Sequence, residues 1–120
     1  MKVLIADDDR TIRTLLADML SDLGHEVVAA SNGMEAVELA VREQPQMVFL
    51  DFLMPRLSGI DALKAIRESG LRAPVVLLTA ISDSSMRQME GIDEADAVLE
   101  KPFKRRTIEK AIENARRTSP

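Results

Sequence analysis

Five short runs of hydrophobic residues recur along the chain, and longer amphipathic stretches separate them. The runs are Val3–Ala6, Val27–Ala30, Met47–Leu50, Val75–Ala80 and Ala97–Leu99. Most of them are apolar without alternation, which is typical of strands that are covered on both faces. The pattern therefore predicts five buried β-strands.

The stretches between the runs carry hydrophobic residues at helical spacing. The first stretch has one apolar stripe from Ile12 to Leu23, and Gly24 provides its end. Asn32 is a suitable cap for a second helix that ends before Pro45. The remaining helices are predicted around Ile60, Leu63 and Ile66, closed by Gly70; around Met86 and Met89, after a possible cap at Asp83; and around Ile108, Ala111, Ile112 and Ala115.

The alternation of strands and helices favours an α/β fold. Such units predict a parallel sheet with right-handed crossovers and helices on both faces. The periodicity does not give the strand order. In open sheets of this kind, ligands bind beyond the carboxyl ends of the strands, so polar residues at those ends are the first candidates for function.

Composition narrows the class of protein. With 120 residues, the chain is predicted to be one domain over residues 1–120, with 116–120 a possible linker or tail. It has no cysteine and one histidine, which excludes a thiolate zinc site, a thiol nucleophile and a multi-histidine metal site. No apolar run is long enough to span a membrane or to form a secretory signal, so we expect a cytoplasmic location and no membrane partner.

Charge is distributed unevenly along the chain. Residues 1–100 carry 18 acidic and 9 basic side chains, whereas residues 101–120 carry 2 acidic and 7 basic ones. An isoelectric point near 5.0 argues against direct binding to nucleic acid. The last helix is expected to expose the basic residues Lys104, Arg105, Arg106, Lys110, Arg116 and Arg117.

Acidic residues follow two of the predicted strands. The first strand runs into Asp7-Asp8-Asp9, and the third runs into Asp51. Singly, each has an ordinary explanation, since acids often cap the next helix and Asp51 could belong to a turn. Together, carboxylates about 4 Å apart repel by roughly 4 kcal/mol per pair at an effective dielectric near 20. Such a cluster either raises a pKa or holds a cation.

The other two strand ends carry residues that complement the acids. Thr79 closes the fourth strand and Lys101 follows the fifth. Carboxylate oxygens suit Mg²⁺, and a carboxylate beside bound Mg²⁺ can attack phosphorus to give an aspartyl phosphate. A cation and a hydroxyl donor are the groups that the phosphoryl oxygens then need, and the small Ala80 leaves room for a phosphoryl group. The constellation predicts a phosphoryl-accepting site.

These residues resemble the receiver domain of bacterial two-component response regulators over essentially the whole chain. The matching pieces are Val3-Leu4-Ile5-Ala6-Asp7-Asp8-Asp9, Asp51-Phe52-Leu53-Met54-Pro55 with Gly59, Leu78-Thr79-Ala80, and Lys101-Pro102-Phe103. The resemblance implies a flavodoxin-like (βα)5 fold, a doubly wound five-stranded parallel sheet of order 2-1-3-4-5. It also implies a phosphorylation-activated signalling switch, which is not an enzyme beyond catalysing its own phosphoryl transfer and autodephosphorylation.

The resemblance also implies roles for the acidic residues. Asp51 would accept a phosphoryl group from the phosphohistidine of a histidine kinase or from a phosphotransfer protein. Mg²⁺ would be bound by the carboxylates of Asp8 and Asp51 and by the backbone carbonyl of Leu53, with Asp7 acting largely through a water.

The remaining motif residues would contact the phosphoryl group. Thr79 would donate a hydrogen bond to it beside Ala80, and Lys101 would pair with it. In this family the bond before Pro102 is commonly cis, which would aim the lysine into the site. Activation would alter binding of a downstream partner or output domain through the face of the fourth helix, fifth strand and fifth helix, including Met86, Met89, Val98 and Lys104–Arg106.

One departure from the usual pattern of the family and two apolar residues beside the acceptor affect the predicted switch. Val98 stands where the family usually has the Tyr or Phe that moves with Thr79, so one half of the usual switch pair is missing. Transmission would then depend on Thr79, the loop after it and the fourth helix. Leu53 and Ile81, which flank the acceptor site, are apolar and cannot orient an attacking water, so we expect an aspartyl phosphate that lasts minutes or more.

Other functions compete with a switch. A degenerate receiver would act only as a docking module, against which the complete set of acids, Thr79 and Lys101 argues. A Mg²⁺-dependent phosphatase of the haloacid dehalogenase type would need an acid two residues after the nucleophile, where this chain has Leu53. A flavin or nucleotide binder is disfavoured because the Asp triplet repels phosphate and the chain has no Trp or Tyr to stack on a ring.

Overall fold

All five predicted strands are present and pair in parallel in a single sheet. The structure is a computed structural model that describes residues 1–80 and 91–118. The strands are β1 (Lys2–Ala6), β2 (Glu26–Ala30), β3 (Met47–Asp51), β4 (Val75–Thr79) and β5 (Ala97–Glu100). Their order in the sheet is β2-β1-β3-β4-β5. This confirms the α/β class and the strand order that the resemblance implies.

Helices connect the strands. Within the described residues these are α1 (Arg10–Asp22), α2 (Gly33–Glu43), α3 (Gly59–Glu68), a 3₁₀ helix (Ile92–Glu94) and α4 (Arg105–Thr118). The helix predicted around Met86 and Met89 lies outside the described residues. The 3₁₀ helix was not predicted, because three residues are too few to leave a periodic pattern. Since α4 extends to Thr118, residues 116–118 of the suggested tail are helical.

Side-chain caps fix where the helices begin. Asp9 accepts hydrogen bonds from the amides of Thr11 and Ile12 at the start of α1. Asn32 caps α2 as predicted, accepting from the Glu35 amide across 2.9 Å. The three consecutive aspartates therefore have different structural settings, and Asp9 serves the helix rather than the strand end.

Alternate strand residues pack into two cores on opposite faces of the sheet. On one face, Ile5 belongs to the cluster that contains Leu16 of α1 and Ile112 of α4. On the other face, Leu4 belongs to the cluster that contains Leu39 of α2. Every residue of β3 and β4 is buried. The two cores explain why the strands are apolar without alternation.

The C-terminal helix α4 is amphipathic. Its stripe of Ile108, Ala111, Ile112 and Ala115 is buried in the first core. All six basic residues predicted to face solvent at this end of the chain are exposed. Within residues 1–80 and 91–118, no helix combines the length and apolar character needed to cross a membrane.

Candidate functional site

The sheet order brings the polar strand ends together at one edge. β1 and β3 are the central neighbours, with Ala6 opposite Leu50 in their register, so Asp7 and Asp51 lie side by side just beyond it. Asp51 is the last residue of β3 rather than a loop residue. Thr79 closes the adjacent β4.

Lys101 lies between the two buried aspartates. Its Nζ donates to Oδ2 of Asp7 across 2.8 Å and to Oδ1 of Asp51 across 3.0 Å. Asp7 is only 1% exposed and Asp51 7% exposed. The backbone amide of Lys101 donates to the Thr79 carbonyl across 2.7 Å, and the Lys101–Pro102 bond is cis, as the resemblance implies. The lysine therefore bridges two carboxylates that would otherwise repel each other in a buried environment.

Asp7 is held by further donors that the sequence did not reveal. Its Oδ1 accepts from the Asp9 amide across 2.9 Å. Its backbone carbonyl accepts from Nη1 of Arg13 across 2.8 Å. Arg13 belongs to none of the motifs recognised in the sequence. The only sequence signal for its contact is that it is a charged residue on α1, one turn beyond the acidic triplet. The first acid of the cluster is thus fixed by α1 as well as by Lys101.

Three carboxylates form a cluster with the composition of a cation site. Asp7, Asp8 and Asp51 each offer one oxygen, and these oxygens lie within 4.8 Å of one another. Asp8 is exposed while the other two are buried. The donors are hard oxygens, and the open side at Asp8 leaves space for water ligands, which Mg²⁺ usually retains. The donor set therefore fits Mg²⁺.

The site shifts the ionisation of its own groups. Burial raises the pKa of Asp51 to about 6, with the negative charges of Asp7 and Asp8 acting in the same direction and Lys101 opposing them. Burial alone would lower the pKa of Lys101, but its hydrogen bonds to Asp7 and Asp51 outweigh that effect and raise it. The lysine is therefore charged at neutral pH, and the carboxyl group of Asp51 is a weaker acid than an ordinary aspartic acid.

A small depression opens onto Asp51 from solvent. Its volume is about 160 Å³, and its lining consists of Asp51, Phe52, Leu53, Thr79, Ala80 and Lys101. Leu53 is 65% exposed at its rim. Larger depressions, including those of about 260 and 520 Å³, lie away from the acidic cluster. Size alone does not locate the site, whereas the convergence of charged groups does.

The two residues considered for a switch occupy different surroundings. Thr79 is buried and lines the depression above Asp51. Val98 pairs with Leu77 in the β4–β5 ladder and packs against the core on the α2 and α3 side. Ile81 and the rest of the loop after Ala80 lie outside the described residues.

Comparison with known proteins identifies the family. The sequence model of the protein family described as the response regulator receiver domain matches residues 3–113 of this chain. The chain belongs to this family. It is 40% identical over 104 residues to the response regulator MprA of Mycobacterium leprae, an alignment that covers 86% of this chain and 45% of that protein. The chain spans about half the length of the curated relatives it matches.

Solved receiver structures share the fold over nearly the whole chain. The chemotaxis protein CheY4 of Vibrio cholerae is 32% identical with a TM-score of 0.88, covering 95% of this chain and 97% of that one. The response regulator TrrA of Thermotoga maritima, solved in complex with Mg(2+)-BeF, is 31% identical with a TM-score of 0.87 and the same coverage. Receiver domains are regulatory phosphoacceptor domains of two-component signalling, and phosphorylation switching is their general function.

Proposed function

We propose that residues 1–120 form a receiver domain in which Asp51 is the phosphoacceptor and phosphorylation shifts the domain between two conformations. The observation that carries the proposal is the convergence of Asp51 with Asp7 and Lys101, at hydrogen-bond distances of 2.8 and 3.0 Å from one ammonium group. Structural roles alone do not require two buried acids and a lysine at the same sheet edge, because hydrophobic residues of similar size would cost less to bury.

The proposed reaction takes place at the carboxylate of Asp51. One carboxylate oxygen attacks the phosphorus of a phosphohistidine on a sensor kinase or a phosphotransfer protein. The O–P bond forms as the N–P bond breaks, and the leaving imidazole nitrogen takes up a proton. The depression of about 160 Å³ over Asp51 provides an approach from solvent, and the small Ala80 on its wall leaves space for the incoming group.

The surrounding side chains then hold the product. Lys101, already 3.0 Å from Oδ1 of Asp51, pairs with a phosphoryl oxygen. Thr79, on the wall of the same depression, donates its hydroxyl to another phosphoryl oxygen. Thr79 thereby reports phosphorylation to the chain that follows β4, while Val98 replaces the usual aromatic partner with a short side chain. Couplings of this kind are about 1–3 kcal/mol, which biases two conformations rather than creating a new one.

The acidic residues provide the metal site. Asp8 and Asp51 would hold Mg²⁺ through their carboxylates and Leu53 through its backbone carbonyl, and Asp7 would act largely through a water. When bound, the ion neutralises negative charge on the transferring phosphoryl group. The exposed position of Asp8 beside the two buried acids supports this assignment, because one side of the cluster stays accessible to solvent.

Receiver domains interact with histidine kinases and output domains. For this chain we propose that the output contact uses the face that includes β5 and the exposed basic stretch Lys104–Arg106. Whether the domain works alone or inside a longer regulator alters the partner but not the chemistry at Asp51.

Intact-protein mass spectrometry tests the proposal. Incubation with acetyl phosphate and Mg²⁺ should add one phosphoryl group to the wild-type chain and none to Asp51→Asn. The matched control Asp18→Asn removes one exposed acid from α1 and should be modified like the wild type.

A folded wild-type protein that takes up no phosphoryl group from acetyl phosphate, or from a panel of kinases, would contradict the switch. It would favour the docking-module alternative. Modification that persists in Asp51→Asn would place the acceptor elsewhere.

A further inference from the structure

The loop between β3 and α3, residues 52–58, carries the Leu53 carbonyl that the proposed function assigns to Mg²⁺. Its backbone is tied at the base, where the Phe52 amide donates to the Leu78 carbonyl across 2.8 Å and the Gly59 amide donates to the Phe52 carbonyl across 2.9 Å. The rest of the loop has no regular secondary structure. Its shape must therefore be set largely by contacts with neighbouring elements.

One of these contacts comes from α2. Gly33 is the first residue of that helix and is buried. A Cβ added to Gly33 would lie 2.7 Å from Cβ of Leu57 and 2.8 Å from its carbonyl carbon, and closer still to its carbonyl oxygen. Such distances essentially never occur for real Cβ atoms, and the obstacle is backbone that cannot rotate away. The helix and the loop thus touch where only glycine fits.

A second glycine closes the loop from its other end. A Cβ added to Gly59, the first residue of α3, would lie 2.9 Å from Cα of Phe52 and closer to the Asp51 carbonyl oxygen. The loop is therefore held between the amino ends of two helices. The contact at Gly59 follows from direct chain connection, whereas the contact at Gly33 joins segments that are far apart in the sequence.

The start of α2 is the more rigid side of the Gly33 contact. Oδ1 of Asn32 accepts from the Glu35 amide across 2.9 Å, and Oε1 of Glu35 accepts from the Ser31 amide across 2.9 Å. These two bonds fix the first turn and the residue before its cap, and the buried Ala36 anchors the turn in the core. Bulk added at Gly33 would therefore displace the loop rather than the helix.

We infer that Gly33 is a positioning residue for the metal site: its missing side chain lets residues 52–58 close against α2 and so sets the place of the Leu53 carbonyl. The inference rests on the proposed function, because it concerns the backbone ligand of the same site. It assigns no contact between Gly33 and the ion. Loss of a supporting contact around a metal ligand typically weakens metal binding about 10-fold or more.

Calorimetric titration of Mg²⁺ into Gly33→Ala tests the inference. The expected result is Mg²⁺ binding about 10-fold weaker than wild type, with slower modification by acetyl phosphate. The control is Gly70→Ala, since Gly70 has a φ of 97° and nothing within 4 Å of an added Cβ. That substitution is strained without pressing on any neighbour, so it should lower the melting temperature and leave Mg²⁺ affinity unchanged.

A measurement on the unmodified chain covers the case in which Gly33→Ala does not fold. In ¹⁵N-labelled wild type, Mg²⁺ should shift the amide resonances of Gly33 and Leu57 together and leave that of Gly70 in place. Affinity of Gly33→Ala within twofold of wild type, or a Gly33 resonance that does not move while that of Leu53 does, would overturn the inference. If the wild type bound no Mg²⁺ at all, the proposed function itself would fall, and the inference with it.

Discussion

Lys101 and Asp51, 50 positions apart in the chain, are joined by a 3.0 Å hydrogen bond between Nζ and Oδ1. The same ammonium group contacts Asp7 across 2.8 Å. One lysine therefore compensates two buried acids, one just after β1 and one at the end of the neighbouring strand β3. This arrangement makes the stability of the domain depend on the groups proposed for its chemistry.

Removal of the lysine charge should destabilise the domain. Lys101→Met keeps an unbranched side chain one atom shorter but leaves Asp7 and Asp51 buried without their cation, and we expect a loss of about 3–5 kcal/mol in the free energy of unfolding. Urea denaturation in the presence of a chelator measures it. Lys104→Met, at an exposed position, should change stability by no more than about 0.5 kcal/mol. Equal effects of the two substitutions would show that the bridge contributes nothing specific.

Because of Asp51, the free energy of unfolding of the metal-free protein should fall as pH rises. Burial, assisted by Asp7 and Asp8, raises the pKa of Asp51 to about 6 in the folded state, above an ordinary value of about 3.9 in the unfolded chain. As pH rises, the Asp51 carboxyl group therefore loses its proton in the unfolded chain before it does so in the folded one. The resulting decrease in the free energy of unfolding begins near pH 4 and is complete above about pH 6.

Asp51→Asn should therefore stabilise the metal-free protein by about 1–3 kcal/mol at neutral pH, with the gain shrinking towards pH 4. Urea denaturation of both proteins over this pH range is the measurement. A substitution that destabilises at neutral pH, or a gain independent of pH, would contradict the raised pKa.

Substitution of two neighbouring acids should affect Mg²⁺ binding differently. Asp8 belongs to the acidic cluster, whereas Asp9 caps α1. Asp8→Asn should weaken Mg²⁺ binding about 10-fold, equivalent to about 1.4 kcal/mol, and should reduce the rise in melting temperature that Mg²⁺ produces. Asp9→Asn removes the same charge but keeps a good cap. If calorimetry found equal losses of affinity, the effect would be one of net charge rather than ligation.

The exposed Leu53 at the rim of the acceptor depression should affect the lifetime of the aspartyl phosphate. The wild type is expected to retain its phosphoryl group for minutes or more, because Leu53 cannot orient a water. Leu53→Asn should shorten this lifetime several-fold, as a polar group can hold a water near the phosphorus. Phosphate release from the phosphorylated protein measures the rate, with Leu15→Asn, another exposed leucine, as the control. A wild-type lifetime of seconds would refute the expectation.

Much of the fold could be predicted because its signals are local. The unbroken apolar run at Met47–Leu50 predicted a strand covered on both faces, and every residue of β3 is indeed buried. Asn32 predicted the start of α2, where its side chain caps the helix. Runs and caps of this kind act over a few residues, so they can be recognised without knowing which segments later meet.

The sequence by itself determined the number and type of the described strands, the Asn32 cap of α2 and the polar residues at the strand ends. Only the tertiary structure decided which distant residues meet: Lys101 bridges Asp7 and Asp51, and Gly33 contacts Leu57. The physical reason is the separation along the chain over which each interaction acts. Hydrogen-bonded turns and hydrophobic periodicity act between near neighbours in the chain, whereas ion pairs and steric contacts across a parallel sheet depend on how whole strands are ordered by their crossovers.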